Sequence, residues 1–174
     1  ARTEPRRRKI GGLDCIEIQG KAGGPTVVLF HGYGADMHDL ATLAEVVQAP
    51  KDTNWYFPNG HHSIPLGGQY EGRAWFPISV SELEKSMATG QSIDFSTVVP
   101  PGMKKAREKA ESFLRELNVP ASKLVLGGRA AHSAAASPWW SRWGARGGVS
   151  WLAPRLIVKP PGRRRAGLTR ALCR

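Results

Sequence analysis

A chain of 174 residues, 41% of them hydrophobic, is one domain's worth of sequence and ample for a buried core. Its two cysteines, Cys15 and Cys173, offer no spacing for a disulfide framework or a metal cluster, and no apolar run is long enough to span a bilayer. A net charge of +11 ordinarily points to nucleic acid or an anionic membrane surface, yet the first 128 residues hold 15 of the 25 basic and all 14 acidic residues, so the excess sits almost wholly in the last 46.

In chain order, Arg6 to Lys9 form a short basic run without the apolar segment of a signal peptide, so the expected location is the cytoplasm. Leu13 to Gln19 alternates well enough for a first strand, and Gly20 to Pro25 turns into a second, the β-branched run from Thr26 to Phe30. That run breaks into His31-Gly32-Tyr33-Gly34, the most informative stretch of the sequence. Glycines flanking one ordinary residue let the main chain turn sharply and present backbone N–H groups to an oxygen that becomes negative in a tetrahedral intermediate. Gly32, Tyr33 and Gly34 are therefore the candidate oxyanion loop, with Tyr33 the expected donor; the plainer reading is a strand ending in a Gly-rich turn.

Asp36 is placed to cap a helix whose apolar positions Leu40, Leu43, Val46 and Val47 recur at three and four residues. Trp55 to Pro58 reads as a short buried strand. Gly60 to Pro77 reads as a Gly- and His-rich loop too long for a plain connector, and so as a pocket wall. Met103, Ala106, Ala110, Phe113, Leu114 and Leu117 follow helical spacing, opened by Pro100-Pro101-Gly102 and closed by Asn118 before Pro120. The strand Lys123 to Gly128 follows, and two strand-helix-strand passes imply a parallel sheet with right-handed crossovers.

Five segments in this order, Thr26–Ala35, Trp55–Gly60, Gly72–Ile78, the Met103 helix and Lys123–Gly128, resemble the bacterial phospholipase/carboxylesterase family that includes the acyl-protein thioesterases. The resemblance covers about residues 24–128. It implies an α/β-hydrolase domain with a doubly wound, mostly parallel sheet. It also implies hydrolysis of small acyl esters or thioesters by Ser, Asp and His in that chain order, without a cofactor or metal. In the family the last strand runs into Gly-Phe-Ser-Gln-Gly, the nucleophile elbow. Aligned on Gly127 and Gly128, the serine position falls on Ala130, whose methyl group cannot attack a carbonyl.

Ser133, in Ala131-His132-Ser133-Ala134-Ala135, is a degenerate substitute three residues too late. No Asp or Glu follows Glu116 and the only His beyond His62 is His132, so acid and base cannot be completed downstream. His31, Arg73, Trp75 and Phe76 are the candidate substrate-pocket residues. For His31 a loop-bracing role fits better than that of base, which the family places near its C-terminus, and Trp75-Phe76 before a proline also reads as simple packing. His61 and His62 are adjacent, not at metal-ligand spacing on a helix.

Composition changes where the motif fails. Residues 129–174 contain four of the six Trp and 27 residues that are Arg, Ala, Gly or Pro, the amino acids of GC-rich codons, which suggests a shifted reading frame or read-through, a hypothesis that the coding DNA tests directly. The expected division is thus an incomplete α/β-hydrolase part, 1–128, and a poorly folded basic tail, 129–174, in which Ile157 and Val158 could form one short strand. The competing reading is polyanion or nucleic-acid binding through the clustered Arg163, Arg164 and Arg165 with Trp139, Trp140, Trp143 and Trp151. Nucleic acid is not the expected partner, since four prolines interrupt the tail and its apolar residues show no sustained period. Limited trypsin digestion should remove the segment after Gly128 before cutting the body. A tail that resists as long as the Met103–Leu117 helix would show it to be folded and selected, and would raise the polyanion reading.

Overall fold

The computed structural model describes residues 3–91, 99–128 and 150–151. Ala130, Ser133, the Ile157–Val158 strand and nearly all of the basic tail lie outside them. The described residues build a mixed α/β fold around one sheet with the spatial order β1-β2-β4-β3-β7-β8, together with a separate two-stranded sheet, β5-β6. The strands of the main sheet are β1 (Arg6–Ile10), β2 (Leu13–Ile18), β3 (Thr26–Phe30), β4 (Asn54–Pro58), β7 (Leu124–Gly128) and β8 (Ser150–Trp151).

β3 lies at the centre. It pairs in parallel with β4 on one side and with β7 on the other, in the register Thr26 to Leu124 through Phe30 to Gly128. The two runs read as strands of one parallel sheet, Thr26–Phe30 and Lys123–Gly128, are therefore direct neighbours that end at the same carboxyl edge. All five residues of β3 are buried, as a central strand covered on both faces requires. Val28 and Phe30 face a cluster with Leu124, Leu126 and the helix residues Ala110 and Phe113, while Val27 and Leu29 face Met37, Leu40, Ala44, Trp55 and Phe57. Alternation along one strand thus divides the core into two layers.

The antiparallel margin was only partly legible. β2 matches the predicted first strand, but β1 precedes it, joined through Gly11 and Gly12, both at positive φ. Arg6 and Arg8 lie on one side of β1 and reach the carboxylate of Glu17, whose side chain has no exposure. Burial alone would raise the Glu17 pKa, but hydrogen bonds from Arg6, Tyr56 and Arg8 outweigh it and hold the carboxyl below its ordinary range. The basic run is thus a strand because every second residue answers a buried acid.

Three further expectations are corrected. The helix expected after Asp36 is a single turn, α1 (Leu43–Val46), with Thr42 and not Asp36 at its N-cap. Asp36 instead accepts from the His38 N–H at 2.8 Å, and successive bonds between residues three apart tighten 36–45 into turns. Leu40 is buried as expected, whereas Val46 is 71% exposed. The segment read as a loop from Gly60 to Pro77 contains an antiparallel hairpin, β5 (His62–Gly67) and β6 (Tyr70–Ala74), turned by Gly67 and Gly68 at positive φ. A helix left unassigned in the sequence reading, α2 (Val80–Thr89), is capped by Ser79, whose hydroxyl accepts from the Glu82 N–H. α3 (Met103–Leu117) stands where its spacing placed it, closed by Asn118 in the left-handed conformation at φ 51°.

Candidate active site

β3 delivers the chain to the carboxyl edge of the sheet at Phe30, opposite Gly128 of β7, where open α/β sheets hold their ligands. The approach is close: a Cβ on Gly128 would stand 2.7 Å from the Phe30 carbonyl oxygen. The His-Gly-Tyr-Gly loop leaves here and is held from behind by three sets of contacts.

The first is His31, 3% exposed. Its Nε2 takes the Gly60 N–H at 2.8 Å, which puts the proton on Nδ1, and Nδ1–H donates to the Gly32 carbonyl at 2.7 Å. Burial lowers its pKa; contacts with the Gly32 carbonyl and with Asn59, and the charges of Asp36 and Asp39, oppose this without overcoming it. With both ring nitrogens engaged on backbone groups, the neutral imidazole braces the loop. The second contact is Trp75. Its indole N–H donates to the His31 carbonyl at 3.0 Å, and its ring lies 5.2 Å from that of Phe30, edge-on, and 5.4 Å from that of His31.

The third is main-chain pairing between loop and hairpin. Gly34 N–H donates to the Arg73 carbonyl and Arg73 N–H to the Ala35 carbonyl, both at 2.9 Å. Two glycines permit this fit: a Cβ on Gly72 would stand 2.4 Å from the Gly34 carbonyl oxygen, and one on Gly60 would stand 2.6 Å from that of Ala74. Gly34 itself sits at φ 82°. The Ala35 N–H turns back to the Gly32 carbonyl at 3.3 Å. Among the described residues the N–H of Tyr33 has no hydrogen-bond partner, and Tyr33 is half-buried.

The candidate residues therefore come together unevenly. Gly32, Tyr33 and Gly34 form one turn, with His31 and Trp75 beneath it and Arg73 beside it. Phe76 lies apart, next to Gly102 at the start of α3. Sequence reasoning missed Gly60, Asn59 and Leu66. Asn59 accepts the Met37 N–H through its side chain, and Leu66 Cδ2 at the hairpin tip lies 3.7 Å from where a Gly34 Cβ would stand. Only the Gly67-Gly68 turn signal between two short runs could have pointed to that tip. Gly34, Asp36, His38, Asp39 and Glu71 border a shallow cleft of about 360 Å³ over the loop.

The brace predicts a pH dependence. Because the folded-state pKa of His31 lies below the ordinary 6.5, the unfolded chain takes up the proton first as pH falls. The contribution is intact above about pH 6.5 and is lost progressively below it. Urea unfolding between pH 5 and 7.5 should show a steeper loss for the parent than for His31→Gln. His61, lowered in the same direction, cancels in that difference. At pH 7.5 His31→Ala should cost about 2 kcal/mol by leaving the Gly60 N–H buried without a partner.

The profile of the Phospholipase/Carboxylesterase family matches residues 13–128. A search of the curated proteins finds no match. Solved structures similar to the chain include a membrane phospholipase A described as a bacterial virulence factor (16% identity, TM-score 0.36) and TT1662 from Thermus thermophilus (20%, 0.39). Esterase PE8 is a third (21%, 0.44). Each match covers 72% of this chain but 31%, 47% and 52% of the respective structure, so the chain spans at most about half of these neighbours. With the family pattern running unbroken from β2 to the end of β7, the chain belongs to the phospholipase/carboxylesterase family of α/β-hydrolases.

Proposed function

We propose that residues 13–128 carry the oxyanion-binding and substrate-facing side of a serine-type hydrolase of carboxylic esters or thioesters, and that this chain alone does not complete the reaction. The observation that carries the reading is the Tyr33 N–H. Its neighbours at Gly34 and Ala35 are committed to the Arg73 and Gly32 carbonyls, whereas it has no partner among the described residues. A donor held rigid from behind and left unsatisfied at the carboxyl edge suits an oxygen that gains charge during acyl transfer, and loss of one such donor typically costs on the order of 10²–10³ in kcat. Leu66 over the turn supplies an apolar wall for an acyl group.

Turnover also requires a nucleophile and a base. The family's serine position is Ala130, and His31 is committed to the Gly60 N–H and the Gly32 carbonyl. Without an imidazole to take its proton, the hydroxyl of Ser133 is a weak nucleophile. The competing polyanion reading of the tail rests on composition alone.

Purified protein should hydrolyse p-nitrophenyl acetate and butyrate no faster than its Ser133→Ala variant, and should take no label from a fluorophosphonate. Stoichiometric labelling at Ser133 would overturn the proposal that the chain lacks a working nucleophile.

A further inference from the structure

A second cleft, of about 320 Å³, opens between β6, the β1–β2 turn and α3. Its walls carry Arg73 from β6, Lys105 and Lys109 from α3, and His61 from the segment leading into β5; Asp14 is its one carboxylate. Lys105 and Lys109 are four residues apart and so share a helix face, where like charges destabilise the helix by about 0.2–0.5 kcal/mol. Among the described residues neither lysine nor Arg73 forms an ion pair. Lys109 reaches over the turn, with its Nζ 3.5 Å from where a Gly12 Cβ would be. Behind these cations the Nδ1 of His61 is buried and without a hydrogen-bond partner among the described residues.

We propose that this cleft is a binding site for a phosphate group, free or as a small monoester, held by Arg73, Lys105 and Lys109, with His61 in its wall. A tetrahedral dianion answers two features left unsatisfied among the described residues: three cations without an ion pair lining one cleft, and a like-charged pair on one helix face. Asp14 offsets one of the three fixed positive charges and leaves two, matching the dianion. Gly32, Tyr33 and Gly34 take no part, so the site stands whether or not the chain hydrolyses esters.

His61 supplies a local readout. Burial lowers its pKa, and the charges of Lys105, His62 and Lys109 lower it further. Bound phosphate should oppose those charges. In full-length protein at fixed ionic strength, inorganic phosphate or glycerol 3-phosphate should raise the pH midpoint of the His61 Cε1–H resonance by about half a pH unit, assigned through His61→Gln. In Lys105→Gln/Lys109→Gln the midpoint should start higher and stop responding, with apparent affinity at least tenfold weaker. Tighter binding of the ester than of the free ion would assign the phosphate to a larger ligand. The proposal is overturned if both anions leave the His61 midpoint in place while moving only tail arginine resonances, or if the double variant responds like the parent.

Discussion

The candidate site depends on one buried imidazole. His31 joins the Gly32 carbonyl to the Gly60 N–H, so it links the turn after β3 to the segment after β4 across the carboxyl edge of the sheet. It does so only as the neutral ring, since a second proton would set an N–H against the Gly60 N–H. Its own carbonyl holds Trp75, and Trp75 packs on Phe30 at the end of β3. One residue thereby ties the loop, two strand ends and the start of the hairpin's exit into a single unit, and burial keeps it in the form that can do so.

The hairpin completes the brace by main chain and not by side chain. Gly72 and Gly60 are there because carbonyl oxygens occupy the space a Cβ would need. Strand β6 can then exchange two hydrogen bonds with Gly34 and Ala35. A loop satisfied at these positions stays fixed while the Tyr33 N–H takes no part in the pairing. Preorganisation of this kind makes a backbone donor effective toward developing charge, because no reorganisation is required during reaction. The hairpin thus borders two clefts, one over the turn and one lined by Arg73 and the lysines of α3.

The central parallel strands and α3 were legible because their signals are strong and local: a continuous apolar β-branched run, a 3.6-residue apolar period, and turns marked by glycine or asparagine. β1 was not, since its charged residues gain their meaning only opposite Glu17, eleven residues beyond Arg6. The helix after Asp36 failed for a related reason. The apolar spacing was present, but the Asp36 carboxylate competes for the His38 N–H and spends the segment on tight turns. The hairpin was masked by its glycines and by Pro65, which weaken any strand signal although tertiary pairing permits them. α2 carried a readable Ser79-x-x-Glu82 capping box, but its exposed Val80 and Met87 gave no clear apolar face. Of the candidate site, the glycine turn after β3 was legible and its support was not, because Gly60 and Arg73 reach the loop through backbone atoms that carry no sequence signature.

The central claim is that the His31–Ala35 turn is fixed from behind while the Tyr33 N–H takes no part in that bracing. Amide hydrogen exchange at Tyr33, Gly34 and Arg73 in the folded protein tests it most directly. The account predicts that Gly34 and Arg73 exchange as slowly as the neighbouring β3 amides while Tyr33 exchanges orders of magnitude faster. A Tyr33 amide as protected as that of Gly34, or Gly34 and Arg73 amides as fast as that of Tyr33, would contradict it.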